Sequence, residues 1–330
     1  MTVDAVDDVD KQLIRALQCD GRASFETLAR RVGLARSTVR SRVQRLVDGQ
    51  QLRVIGTVHP SVFGLNQLGH VTIAADGPVR PIADAVAAMP ESSFVTMTAG
   101  SFAATAELRT VDLPSFAGVV ARIQAIPGVR AVRVLDYLRI CKDPYFPPGT
   151  LRPMDLDAAD HALLTALRRD GRASFAELAT ASGLSSGAAR TRVLRLLRSG
   201  LVHVGALVRL DPLSDRRTVG FALHLRAAAD GVAAEVVDLP EVDSLVIGVG
   251  WCSAIGTISV TSEDQVFGTL ERIRAIPGVR TVESWSHLRA VKEENDLAAD
   301  QADGPIGDLR RSGAQARKTA QTDHQNAFLG

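Results

Sequence analysis

The residues of this sequence best equipped for chemistry lie between positions 30 and 53, and the chemistry they suit is recognition of a polyanion. Seven arginines (Arg30, Arg31, Arg36, Arg40, Arg42, Arg45 and Arg53) stand there against a single acid, Asp48. A merely solvated helix face mixes both signs, so that i,i+4 pairs form. This one does not. At helical spacing Arg36, Ser37, Arg40, Ser41 and Gln44 share one face, with Thr38 beside them in the first turn, while Val39, Val43 and Leu46 form the apolar stripe. A helix of that kind can enter a major groove, where arginine reads guanine edges and contacts phosphates. Arg42 and Arg45 lie at the edge of the stripe, where phosphate contact competes with packing of their stems.

Other chemistries find little support. The sequence contains no GxxxxGK loop, GxSxG elbow or HExxH helix, and Gly248-Val-Gly250 lacks the third glycine of a dinucleotide site. His59, His70, His203 and His224 have no Cys or His at ligand spacing. Cys19, Cys141 and Cys252 are odd in number and far apart, which suggests neither a disulfide framework nor a zinc cluster. No enzymatic activity, metal or cofactor is expected.

The arginine helix needs elements to hold it. Just upstream, Phe25, Leu28, Ala29 and Val32 recur at helical spacing behind Ser24, a candidate N-cap with Thr27 three residues on. Gly33 can take the positive φ that a sharp turn between two helices demands. A further helix is expected over residues 7–19, with Leu13, Ile14, Ala16 and Leu17 facing inward. The net charge of the 330-residue chain is only +1, so its basicity is local. With no signal segment and no apolar run of membrane-spanning length, a cytoplasmic protein away from membranes is expected.

The chain is a tandem duplication. Asp20-Gly-Arg-Ala-Ser-Phe25 returns unchanged as Asp170-Gly-Arg-Ala-Ser-Phe175, and Arg122-Ile-Gln-Ala-Ile-Pro-Gly-Val-Arg130 returns with one change as 272–280, both at an offset of 150. After the helical part, each copy shows strand, helix, strand, strand, helix, strand, which is the ferredoxin-like order. In copy one these are 66–75, 79–89, 91–98, 102–110, 113–125 and 129–140; in copy two, 219–226, 232–237, 244–249, 254–260, 264–275 and 279–291. The expected class is α+β. Helix-turn-helix domains, of winged-helix type, occupy 1–60 and 155–212, ferredoxin-like domains 61–142 and 213–292, a proline-rich linker 143–154 and a disordered tail 293–330.

The copies differ where groove contacts concentrate. In copy two Ser186 replaces Arg36, and Gly187-Ala188 replaces Ser37-Thr38, while Arg190, Arg192, Arg195 and Arg198 remain as phosphate candidates. Copy one is therefore expected to specify sequence and copy two to add backbone affinity.

The run Asp10, Leu17, Asp20-Gly21-Arg22, Phe25, Leu28-Ala29, Gly33-Leu34, Arg40, Arg42-Val43 and Arg45-Leu46 resembles the N-terminal helix-turn-helix of the AsnC/leucine-responsive regulator family. The resemblance covers residues 7–142 and 157–292. It implies a transcriptional regulator of double-stranded DNA, in which one chain supplies what a homodimer supplies elsewhere and reads an imperfect palindrome. Arg22, Ser24 and Arg172 join the candidate DNA contacts, with pairing to nearby acids as the alternative for the two arginines. The resemblance further implies a small effector, an amino acid or related metabolite, near Gly100, Ser101 and Phe102 and near Gly250, Trp251 and Cys252. The family often carries an acidic residue in this loop; neither copy has one there, and a tight turn between strands is the alternative. Two rival readings accompany these. Siroheme decarboxylase resembles the same two-domain plan, but would want His and Arg near the central strands, where 95–102 and 245–252 offer neither. A protein-interaction module that has lost DNA binding is the other. Association between chains is left open.

Overall fold

The computed structural model describes residues 6–143, 154–208, 217–226 and 228–293; the expected linker (but for its ends) and nearly all of the expected tail lie outside these residues. The described residues fall into two units, each combining a piece of both copies.

The first unit holds the two helical trios and one strand from each copy. Helices α1 (Asp8–Cys19), α2 (Phe25–Val32) and α3 (Arg36–Asp48) belong to copy one, followed by β1 (Leu52–Val58) and a short 3₁₀ turn at Pro60–Phe63. Asp7 caps α1 in a capping box with Asp10, which satisfies two otherwise orphaned amides. Ser24 accepts from the Thr27 amide at the start of α2, and Gly33 ends that helix at φ 69°, in the left-handed region its sequence position required. Leu13, Leu17, Leu28, Val39 and Leu46, drawn from all three helices, are buried.

In the second unit, β2 (Gln67–Ala75), α4 (Arg80–Ala87), β3 (Ser92–Gly100), β4 (Ala104–Thr110), α5 (Leu113–Gln124) and β5 (Val129–Lys142) realise the ferredoxin-like order. Copy two begins again in the first unit with α6 (Ala158–Arg169), α7 (Phe175–Ser182), α8 (Ser186–Arg198) and β6 (Val202–Val208). It continues in the second unit with β7 (Arg217–Leu225), α9 (Ala229–Val237), β8 (Val242–Gly250), β9 (Ala254–Val260), α10 (Glu263–Ala275) and β10 (Val279–Glu293).

Two pairings decide the architecture. The strand after each arginine helix does not fold back as a hairpin within its copy; β1 pairs antiparallel with β6, from Arg53 opposite Leu207 to Val58 opposite Val202. In the second unit the eight strands close into a barrel of order β10-β3-β4-β2-β5-β8-β9-β7, so that each copy contributes four contiguous strands. The copies are joined at β5–β8 and β10–β3, the two long strands serving both joints. Alternation along the strands splits their side chains between two faces. One face buries Val71, Ile73, Val95, Ala106 and Leu108 against Ile82, Val86, Phe116, Val119 and Ile123 of α4 and α5. The other carries a cluster drawn from both copies: Phe102, Leu135, Ala222, Val246, Cys252, Ile255 and Trp285. β3 and β8 run on to Gly100 and Gly250, further than the alternation implied, because those residues pair with Trp285 and Leu135 of the other copy.

Candidate nucleic-acid interface and the barrel cluster

The arginines of the helical unit divide into two groups by what they already hold. Arg42 Nη1 lies 2.6 Å from Asp7 Oδ2 and 3.0 Å from Asp10 Oδ1, and Arg45 takes the other Asp10 oxygen. Copy two repeats the bracket: Arg192 pairs with Asp157 at 2.6 Å and Arg195 with Asp160 at 2.8 Å. Asp10 and Asp160 are fully buried, so each needs its cation. These four arginines tie the recognition helix to the first helix of its own trio. Hydrogen bonding to Arg192 and to the Asp160 amide holds the Asp157 carboxyl down at about 2, and Asp7 is lowered by its bond to the Asp10 amide and by Arg42.

Arg22 and Arg172 are placed differently from the expectation as well. Arg22 donates to the carbonyls of Gly171 and Ala173 at 2.7 and 2.9 Å and sits 5.0 Å above the Phe175 ring. Arg172 returns the arrangement to Gly21, Ala23 and Phe25. Each thus anchors one trio to the other through carbonyls and a ring, with Asp20 and Asp170 near enough to favour the charge. The amide of Gly21 donates to Val204 and that of Gly171 to Val54, so the two Asp-Gly-Arg corners bind the opposite copy's strand. Burial and the facing Arg172 lower the Arg22 guanidinium. Ser24 is occupied as the α2 cap.

What remains on α3 is its outer face. Arg36, Ser37, Thr38, Arg40 and Ser41 are exposed, and none of them has a hydrogen-bond or ion-pair partner among the described residues. Gln44 is exposed but donates to Asp48 at 2.8 Å. On α8 the matched face offers less. Ser186 and Arg190 are exposed, while Thr191 donates back to the Gly187 carbonyl at 3.1 Å and Leu194 stands where copy one has Gln44. Ser185 caps α8 through the Ala188 amide, whereas Ala35 gives α3 no side-chain cap. α3 thus carries a comb of uncommitted donors in the geometry of a groove-reading helix, and α8 carries a thinner one.

The six residues expected around an effector do not all converge. Gly100 and Gly250 lie in separate joints of the barrel, and Ser101 is exposed. Phe102, Trp251 and Cys252 do come together: the Phe102 ring meets Trp251 at 5.3 Å and Trp285 at 5.5 Å, both edge-on. Arg133 lies 5.3 Å from each of the Phe102 and Trp251 rings and pairs with Glu283, which also receives His224 at 3.0 Å. Burial, helped by Glu283, pushes the Cys252 thiol up to about 12. The His70 and His287 rings lie 6.3 and 6.4 Å from Trp285 and are held neutral by burial, at about 3 (with the facing His287 adding to the effect) and about 4. Spacing along the sequence does not reveal this gathering of Arg133, His70, His224 and His287, because the four residues come from four different strands.

Comparison with known proteins follows the same lines. The AsnC-type helix-turn-helix domain matches residues 6–47 and again 156–197. The HTH-type transcriptional regulator FL11 of Pyrococcus furiosus is 30% identical over 140 residues, 42% of this chain and 93% of that protein. The HTH-type transcriptional regulator LrpA of Mycobacterium tuberculosis is 34% identical over 134 residues, 38% of this chain and 86% of that one. Among solved structures, the siroheme decarboxylase NirDL superposes with a TM-score of 0.63 over 95% of this chain and 100% of its own, at 12% identity, a likeness of fold alone. With paired trios, repeated Asp-Gly-Arg corners and matching relatives in view, the chain belongs to the AsnC/leucine-responsive family of helix-turn-helix regulators, with the family's two-part plan present twice.

Proposed function

We propose that the chain is a sequence-specific transcriptional regulator acting in the cytoplasm without an enzymatic role, in which α3 reads bases and α8 adds phosphate contacts on an imperfect palindrome. The observation that carries this reading is the uncommitted outer face of α3: Arg36, Ser37, Thr38, Arg40 and Ser41 hold nothing among the described residues, while Arg42 and Arg45 behind them are spent on Asp7 and Asp10. Arg40→Ala should cost about 1–3 kcal/mol at the preferred site and relax its sequence preference. Arg190→Ala should weaken all sequences alike and reduce the salt slope by about 1. Selection of bound genomic fragments, followed by titration of the two variants, reads both effects. A specificity profile that changes with Arg190→Ala and not with Arg40→Ala reverses the assignment.

The regulatory half of the reading is a small effector at the cluster of Phe102, Trp251 and Cys252, where Arg133 is the facing cation. Calorimetry against a panel of amino acids tests it, and absence of heat and of any thermal shift removes it. A tetrapyrrole-handling reading draws on His70, His224, His287 and Arg133 around the same barrel. Addition of siroheme distinguishes it, since a new visible absorption band would favour it over an amino-acid effector.

A further inference from the structure

Because the second unit is built from two copies, residue n of copy one and residue n+150 of copy two occupy matched places, and the strand registers obey this: Trp285 stands opposite Gly100, Leu135 opposite Gly250. A barrel of two identical halves would set each such residue against the same surroundings on both sides of its axis. Here the matched residues differ, and in complementary ways.

Position 133/283 is arginine in copy one and glutamate in copy two, and Arg133 Nη1 lies 3.6 Å from Glu283 Oε2. Two like halves would bring two guanidinium groups or two carboxylates to that place. Position 135/285 is leucine or tryptophan, both buried, and each stands at a joint, Leu135 opposite Gly250 and Trp285 opposite Gly100. Position 98/248 is threonine or glycine, and a Cβ at 248 would overlap the Asp136 carbonyl oxygen of β5. A second copy-one half offered to β5 would present Thr98 at that point. Position 101/251 is serine or tryptophan and 102/252 phenylalanine or cysteine, so the edge-on contact of Phe102 with Trp251 exists only between unlike copies. The helical unit is far closer to symmetric. Its anchors, Arg22 and Arg172 with Phe25 and Phe175, are the same residues returning the same bonds, and Ile55 opposite Gly205 is the main difference in size along its strand pair.

We propose that the joints of the barrel are a selective docking surface whose one fitting partner is the opposite half of this same sequence. Copy one accepts copy two and rejects a second copy one, and copy two behaves likewise. The half-exposed ion pair contributes the smaller part, as such pairs do. Shape contributes the larger, since overlap with a backbone oxygen has no side chain that can yield. Discrimination of this sort rests on what the wrong partner meets as much as on what the right one gains. Its consequence is that the two unequal reading helices, α3 and α8, always come as one of each, and that single-unit chains of the same plan are shut out.

The test uses the full chain with a protease site placed within 144–153, purified intact and then cut. The cut material is unfolded in urea, refolded, and weighed by native mass spectrometry. We expect the copy-one·copy-two species to exceed both like-paired species together by about tenfold or more; the 1:2:1 mixture that indifferent halves give would overturn the proposal. Uncut variants provide a measurement that needs no refolding of halves. R133E and E283R should each lower the melting temperature by about 1–3 °C, and the double variant should recover most of the loss. G248T should lower it by more than either. Additive losses in the double variant together with a harmless G248T would overturn the proposal as well.

Discussion

Arg22 donates to two carbonyls of the opposite copy and covers its Phe175, and Arg172 does the same in return. Charged hydrogen bonds of this kind contribute about 1.5–3 kcal/mol, so Arg22→Ala should lower the unfolding free energy of the helical unit by about that amount. Urea titration followed by circular dichroism measures it, and Arg22→Lys should recover little, because one ammonium cannot reproduce the planar fork. The bracket between Asp157 and Arg192 behaves differently because it titrates. A carboxyl held at about 2, below its ordinary 3.8, gives stability that is complete above pH 4 and disappears as pH falls toward 2. Acid unfolding of the helical unit should therefore show a component between those values that Asp157→Asn removes; an unchanged profile in that variant would count against the bracket. Asp7, lowered by the same arrangement in copy one, adds in the same direction.

Elements in this chain are separated most clearly by what surrounds their glycines. Gly187 lies in the first turn of α8 with open space around it, so Gly187→Ala should raise stability by about 0.5 kcal/mol through backbone entropy. Gly220 in β7 lies beneath the Trp285 indole, and Gly220→Ala should cost about 1–3 kcal/mol from overpacking. Denaturant midpoints of the two variants should thus move in opposite directions. Much of this level was legible beforehand. The cap at Ser24, the turn at Gly33 and the ferredoxin-like order follow from local spacing and side-chain chemistry, and the structure contains them. Helix α9 begins at Ala229, three residues before its expected start, because Asp230 and Gly231 hid a helical turn that the packing of Val232, Ala233 and Val236 supports.

For the barrel as a whole, acidification is the informative perturbation. His70 and His287 are kept neutral by burial, at about 3 and about 4 against an ordinary 6.5. A depressed histidine contributes stability that is complete above its unfolded value and is lost as pH falls, so the barrel should weaken progressively from pH 6.5 down through 4. Melting temperature followed across that range should fall, and His70→Asn should make the fall shallower; a flat curve in the unaltered protein would refute the account. Among the described residues no helix is long and apolar enough to cross a membrane.

The sequence by itself determined that the chain is one plan written twice, the order of its helices and strands, and which helix carries the basic face. Those are local or self-referring properties: caps, periods of 3.6 and 2, and a 150-residue echo need no knowledge of what lies across the fold. Tertiary structure alone decided which arginines are free. Arg42 and Arg192 find their aspartates 35 positions upstream, and Arg22 and Arg172 find their carbonyls in the other copy. A guanidinium looks the same in sequence whatever it faces, and only the packing of α1 against α3 and of one trio against the other fixes the nearest acceptor.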